Sequence, residues 1–506
     1  MNFDLHAHIS LKVMLGGTDN TNRKDCWSEI NSPVLDIVSG GVISSQSSLH
    51  QIQQGKVHIA LAPMYSLEHA FSKNFLLSKF IPKIEKQLSK TLLQRIRDDK
   101  STPFNLLQEE LALIKQSENS KMKVIQKLTD YDPAKINIIL VIEGMHNFQD
   151  SYLGKPSTLA ASILKNLKTF ITQHRVLYAG LAHLTRNLVA THCYGMKLIA
   201  DKEFIPEGNG ITETGKRVID LCYSRSGFNN KYTLIDIKHM SLSARIEFYR
   251  YRDTQGYNHI PIVASHFACT GRSYNDIRIF KPKVSKKYDN AVEITYHKSY
   301  SDVVFKYSNS PQLEYVAFNP WTLNLFNEEI FKIIESDGII GVIMDLRVLG
   351  AKGRNFGTTN PEGVEFLSTE SFNLLKSENR FNILDDEQED DSTEEEIEFD
   401  SIVAGKDAMH FFANILQIVK VYFDRFNSLK AWDHICVGSD SDGLIQPIEE
   451  YQNASDFDSL RMDLIDIFNA ERKRDKFKKY FGTLPSDELV KKIFYLNGNR
   501  FINAYL

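Results

Sequence analysis

Histidines and acids recur in this chain at the ends of apolar runs. The first group is Asp4-Leu5-His6-Ala7-His8. On an extended strand, residues i and i+2 face the same side, so His6 and His8 could ligate one metal ion. Glu143 follows the apolar stretch Ile139-Leu140-Val141-Ile142. A carboxylate there is costly to bury unless it is paired or bound to metal, and its two oxygens can bridge two cations. Gly144 directly after it lets other groups approach closely. Two further apolar runs, Leu234-Ile235-Asp236-Ile237-Lys238-His239 and Ile262-Val263-Ala264-Ser265-His266, each end in a histidine. Imidazole and carboxylate donors suit zinc or a similar first-row metal. Asp440, in Val437-Gly438-Ser439-Asp440-Ser441-Asp442-Gly443, closes the set. A carboxylate beside metal-activated water can take its proton and return it to a leaving amine. The Asp-x-Asp-Gly element also fits a turn, and it lacks the Glu that a full calcium loop requires. Singly, each motif has an ordinary reading as a surface histidine, an exposed strand end or a hydrogen-bonded core residue. Together they matter only if the fold gathers strand ends at one place.

The elements that would position them follow a regular order. Short apolar runs span Asn2 to His8, His58 to Met64, Ile136 to Glu143, Val176 to His183, Thr233 to His239, Pro261 to His266, Gly338 to Asp345 and His434 to Asp440. Several are almost continuously apolar, as expected of strands buried on both faces. Helical-period segments lie between them: Leu76 to Leu93, Leu159 to Gln173, Thr214 to Ser224, Glu328 to Ser336 and Asp407 to Phe426. Alternation of strand and helix predicts a parallel sheet, and eight units predict closure into a (β/α)8 TIM barrel. Six of the runs end in His8, Glu143, His183, His239, His266 or Asp440. In such a barrel the carboxyl ends of all strands meet at one catalytic face.

At 506 residues the chain would allow two or three domains, but a single elaborated barrel, residues 1–506, also fits. Three stretches read as insertions: about 73–132, 277–320 and 354–400. The first is charged and partly helical in pattern. The second, rich in Tyr, Lys and Ser, reads as an extra β-hairpin or two on the rim. The third has the composition of a mobile loop, because Asp385 to Asp400 holds 11 acidic residues and no basic one. Elsewhere the chain is mildly basic. The net charge of −4 and 25% charged residues give no reason to expect nucleic acid or an anionic membrane as partner. No stretch approaches the roughly 20 apolar residues of a transmembrane helix. Five scattered cysteines, without a Cys-x-x-Cys pair, read as reduced thiols. No signal peptide is visible at Met1-Asn2-Phe3-Asp4-Leu5-His6, so a cytoplasmic location is expected.

With these motifs in order, the chain resembles the membrane (renal) dipeptidase family of zinc metallopeptidases, within the amidohydrolase superfamily. Glu143-Gly144-Met145-His146 looks like the family's bridging-glutamate motif. Asp236-Ile237-Lys238-His239-Met240-Ser241 is similar to its Asp-Leu-Ser-His-Val-Ser, and Ser265-His266 to its Ser-His-Ser. Gly438 to Gly443 is similar to its Gly-Ser-Asp-Phe-Asp-Gly, and Lys492 to Phe501 to its closing helix. The resemblance implies two divalent metal ions, zinc by preference. His6 and His8 would hold one, His239 and His266 the other, and Glu143 would bridge them together with a hydroxide. That hydroxide would attack the amide of a dipeptide, and Asp440 would shuttle the proton. His183, in Gly180-Leu181-Ala182-His183, would polarise the substrate carbonyl, and His146 is placed beside it among the substrate-binding residues. Arg272 is the match for the arginine that pairs with the dipeptide's terminal carboxylate. The family's common dimers imply a homodimer. The chain departs from the family in having His8 where an Asp is usual. In addition, Arg272 stands closer to His266 than the family spacing, and the rim inserts are bulky. Another small amide or ester, such as an N-acyl amino acid, is the alternative substrate, and a non-catalytic metal-binding barrel scaffold the alternative function.

Overall fold

The computed structural model describes residues 1–16, 25–73, 89–195, 202–306, 313–351, 363–385, 406–448 and 450–506. Eight parallel strands form the centre: β1 (Asn2–Asp4), β2 (Val57–Met64), β3 (Ile136–Ile142), β4 (Val176–Gly180), β5 (Leu234–Asp236), β6 (Ile262–Phe267), β7 (Ile339–Val342) and β8 (Ile435–Val437). Each pairs with the next in chain order. The short strand Met122–Val124 adds to β3 outside this path. The ring closes between β8 and β1, where Leu5 N–H donates to the Val437 carbonyl at 2.9 Å and Asp440 N–H to the His6 carbonyl at 2.9 Å. The fold is the (β/α)8 barrel that the alternating runs predict, and each of the eight runs contains one of its strands, save one residue that overhangs at the start of β2 and one at the end of β6. The physical cause is visible in β3, whose seven residues are all buried because it is covered by neighbouring strands and helices.

The outer helices follow their apolar periodicity. The helix Pro156–Gln173 starts on a proline and buries Leu159, Ile163, Leu167 and Phe170, one stripe three to four residues apart. The helices Glu213–Tyr223, Asn327–Glu335 and Lys406–Phe426 fall where the pattern places them. Of the stretch Leu76 to Leu93, residues 76–88 lie outside the described residues, and the helix Lys90–Arg97 covers its end. The closing segment begins as one π-helical turn, Lys492–Leu496, and continues as the helix Asn497–Tyr505. Asn497 Nδ2 donates to the Trp432 and Ile435 carbonyls, tying this segment to the start of β8.

The second and third of the stretches that read as insertions form small sheets outside the barrel. Strands Ser299–Lys306 and Leu313–Phe318 form an antiparallel hairpin. Strand Ala291–Thr295 pairs with Val364–Ser368, and Ile277–Phe280 with Phe381–Leu384. Part of the third insertion is therefore ordered as strand, helix (Thr369–Ser377) and strand, completing sheets begun by the second. Its composition suggests a mobile loop because the acidic run dominates it. That run lies, from residue 386, outside the described residues. The two insertions are joined by a buried carboxylate: Glu365 accepts from Tyr296 Oη at 2.6 Å and from the Thr322 N–H at 3.0 Å. All five cysteines are free and buried. No described helix is long and apolar enough to cross a membrane.

Candidate metal centre

Seven residues from six strand ends meet in one buried cluster. Glu143, directly after β3, is at its centre. Its Oε1 lies 3.0 Å from His239 Nε2, 3.4 Å from His6 Nε2 and 3.7 Å from His266 Nε2. Its Oε2 lies 3.2 Å from His8 Nε2 and 3.7 Å from His183 Nε2. Asp440 Oδ1 is 3.4 Å from His8 Nε2 and 3.8 Å from His6 Nε2. Three overlapping donor sets result: His6, Glu143 and His266; His6, His8 and Asp440; Glu143, His183 and His239.

The backbone is bent to produce this convergence. His239 and Asp440 both take left-handed conformations, with φ of 63° and 59°, a region that is uncommon overall but in which His and Asp are enriched. Two glycines give the groups room. A Cβ on Gly144, whose φ is +87°, would lie 2.6 Å from His146 Nδ1, and one on Gly443 would lie 2.1 Å from Asp440 Oδ1. Two aspartates act as matching braces. Asp4 accepts from the His6 N–H at 3.1 Å and from Ser439 on the adjacent β8 connection, through N–H at 2.9 Å and Oγ at 2.5 Å. Asp236 accepts from the Lys238 N–H at 3.2 Å and from Ser265 on β6, through N–H at 3.0 Å and Oγ at 2.6 Å. Each brace ties a histidine-bearing loop to the neighbouring strand.

These bonds also determine which ring nitrogens carry protons. Tyr178 Oη donates to the Leu5 carbonyl at 2.8 Å, so it accepts from His6 Nδ1–H, also at 2.8 Å. Ser265 Oγ donates to Asp236, so it accepts from His266 Nδ1–H at 2.7 Å. With the proton on Nδ1, both rings turn Nε2 toward the cluster, where a metal ion could be ligated. His6 Nε2 is buried, faces carboxylate oxygens and has no hydrogen-bond partner among the described residues. A buried lone pair held against carboxylates is costly, and a cation between them relieves that cost. The donor set of imidazole nitrogens and carboxylate oxygens fits a divalent first-row metal.

The electrostatics are those of a cluster built around positive charge. Burial opposes ionisation of Glu143, but His183, His6 and His8 outweigh it and hold its carboxyl well below the usual range. Burial also opposes charge on His8, yet Glu143 and Asp440 push it up to about 10. Burial and the neighbouring His183 drive His239 down to about 3, and burial with His6 lowers His266 well below the ordinary value. Burial raises Asp440.

His183 has a partner that the motifs did not reveal. Its Nδ1 is 2.7 Å from Glu68 Oε1, and Tyr65 Oη donates to the other Glu68 oxygen. Although burial works the other way, His183 holds the Glu68 carboxyl down at about 2. His146 stands behind His183, ring centroids 6.2 Å apart, with Nε2 2.8 Å from the Ser66 carbonyl. Arg272 is not brought to the cluster. Its guanidinium donates to the Lys298 carbonyl and lies 3.3 Å from His297 Nδ1, on the rim. Asp442 is also occupied elsewhere, paired with Lys12 at 2.6 Å and capping the Gln46 and Ser47 N–H groups. A pocket of about 70 Å³, partly open to solvent, leads to the cluster. Its walls include His8, Glu143, His183, His239 and Asp440, apolar Leu11, Leu184, Leu323, Ile343 and Val348, and Lys238.

Solved structures share this architecture. One is a metallo peptidase from Rhodobacter sphaeroides liganded with a phosphinate mimic of the dipeptide L-Ala-D-Ala. It aligns with a TM-score of 0.52 at 13% identity, over 100% of this chain and 99% of its own. Another is the dipeptidase AC, a metallo peptidase of family M19, with a TM-score of 0.50 at 13% identity, over 100% of this chain and 98% of its own. At this identity the likeness is one of fold. No protein-family model and no curated protein matches the chain.

Proposed function

We propose that the chain is a metal-dependent hydrolase that cleaves the amide bond of dipeptides. The observation that carries this reading is the buried His6 Nε2, its lone pair exposed by the Tyr178 hydrogen bond and aimed at Glu143 with no protein donor to meet it. His6, His8, His239 and His266 would hold two divalent ions, zinc by preference, with Glu143 shared between them. When bound, such ions lower the pKa of water toward about 7 and polarise a carbonyl.

The protein's own groups then have separable tasks. Asp440, beside His8 and His6, accepts the proton of the attacking water and returns it to the departing amine. Glu68 takes the Nδ1–H of His183 and so aims Nε2 at the pocket. In the charged form, which Glu143 and Glu68 favour against the cost of burial, Nε2–H donates to the amide oxygen. The apolar walls exclude water from the reacting groups and receive an aliphatic side chain. The test is turnover of a dipeptide panel by protein reconstituted with zinc. Hydrolysis that a chelator abolishes and zinc restores is expected. Metal-loaded protein that cleaves neither dipeptides nor N-acyl amino acids would refute the reading.

A further inference from the structure

Leu444 lines the pocket from a backbone conformation that is costly for its side chain, with φ of +64°. It is the only apolar residue other than glycine with left-handed φ among the described residues; the others are Asn, Asp, His, Lys or Arg. A branched side chain is disfavoured there because its Cβ crowds the backbone, and it persists only where the surroundings over-determine it. The surroundings do so on both sides. Before Leu444, Asp442 pairs with Lys12 at 2.6 Å and accepts from the Gln46 and Ser47 N–H groups at 2.8 Å and 2.9 Å. After it, the Ile445 carbonyl accepts from Gln46 Nε2 at 3.2 Å, and the Gln446 N–H donates to Asp345 at 3.1 Å. Glycine or asparagine at 444 would follow the same path without strain, but would leave the pocket wall open. The Leu444 side chain packs against a second apolar cluster that includes Leu11, Tyr65, Leu92 and Ile96. Leu92 and Ile96 belong to the helix Lys90–Arg97, so the wall is backed by a packed layer.

We propose that Leu444 sets the size limit for the substrate's side chain, admitting short aliphatic groups and excluding aromatic ones. This rests on the hydrolase reading of the same pocket. Leu444 shares the apolar wall with Leu11 and Leu184, opposite the metal cluster and on the loop that carries Asp440. The free space is about 70 Å³, well below the roughly 300–1,000 Å³ of ordinary ligand pockets. Removing the Leu444 side chain enlarges that space at the cluster itself, and the clamps on Asp442 and Gln446 keep the loop in place.

The experiment compares wild type with Leu444→Ala and Leu444→Gly. For zinc-loaded protein, kcat/KM is measured for L-alanyl-L-alanine, L-alanyl-L-phenylalanine and L-phenylalanyl-L-alanine. Wild type should prefer alanyl-alanine, and in both variants that preference over the better phenylalanyl substrate should fall by about 10- to 100-fold. Zinc content should be unchanged. Leu444→Gly should melt at a higher temperature than Leu444→Ala, the reverse of the usual order, because only glycine is free of strain at this φ. Wild type that cleaves the phenylalanyl dipeptides as well as alanyl-alanine, or a preference unchanged in both variants, would overturn the proposal. So would a Gly variant that melts below the Ala variant, or a lost preference accompanied by lost zinc. If wild type cleaves no dipeptide, the hydrolase reading fails, and binding decides the role of Leu444. By ligand-observed NMR, N-acetyl-L-phenylalaninamide should then bind the variants about 10-fold more tightly than wild type, with N-acetyl-L-alaninamide gaining less than about threefold. Equal gain, or none, would overturn the proposal.

Discussion

Replacing Glu68 by Gln tests whether His183 is a positioned polarising group. The change keeps shape and removes one charge. In the native protein the His183 Nδ1 to Glu68 Oε1 distance is 2.7 Å, and both side chains are almost fully buried. A hydrogen bond to a charged partner contributes about 1.5–3 kcal/mol. If that energy is expressed in the transition state, kcat falls by about 10- to 150-fold, because each 1.36 kcal/mol is tenfold. KM should move by less than about threefold, since Glu68 acts through His183 rather than on the substrate. The pH profile supplies a second readout. Glu143 and Glu68 raise His183 against the effect of burial. Removing one of them lowers the pKa, so the charged form is lost at lower pH and the alkaline limb of kcat moves to lower pH. The assay is steady-state hydrolysis of a dipeptide between pH 5 and pH 9, with metal content measured on the same preparation. An unchanged kcat and an unshifted limb would refute the reasoning. Loss of an ion together with activity would make His183 a metal ligand instead, completing the set with Glu143 and His239.

Three other outcomes are expected. Asp440→Asn should lower kcat by about 10²- to 10⁴-fold with metal content retained, as removal of a general base does; elemental analysis beside steady-state rates checks both. Tyr178→Phe removes the acceptor of His6 Nδ1–H and should weaken metal binding by about 10- to 100-fold, measured by competition with a chromogenic chelator. Arg245→Leu leaves Glu329, fully buried, without its cationic partner and should destabilise the fold by about 3–5 kcal/mol in denaturant titration.

The barrel was legible because its strands are buried on both faces, so that Ile136 to Ile142 and Val176 to Gly180 read as unbroken apolar runs. The site residues were legible for a related reason. Glu143, His239, His266 and Asp440 stand at or just beyond strand ends, which the closed sheet gathers at one rim. Glu68 carried a weaker form of the same signal, an acid four residues beyond the last residue of β2, and could have been found by it. Tyr178 could not. It lies inside β4, and its role depends on the Leu5 carbonyl and His6, more than 170 residues earlier. Lys238 stands within the motif ending in His239, but the burial of its Nζ without a hydrogen bond is a property of packing, which spacing does not encode. Arg272 shows the converse: the residue type fits its expected task, while the second insertion turns it toward Lys298 and His297. The third insertion was obscured by its acidic run, so the strands Val364–Ser368 and Phe381–Leu384 were read as part of a loop. Their pairing partners lie in a different insertion.

The most direct test of the central claim is the metal content per chain of protein purified without chelator, by elemental analysis. The geometry around Glu143 predicts about two ions of zinc or a similar metal per chain, released by a strong chelator and regained on adding zinc. Protein that holds no metal even after zinc is supplied would contradict the account.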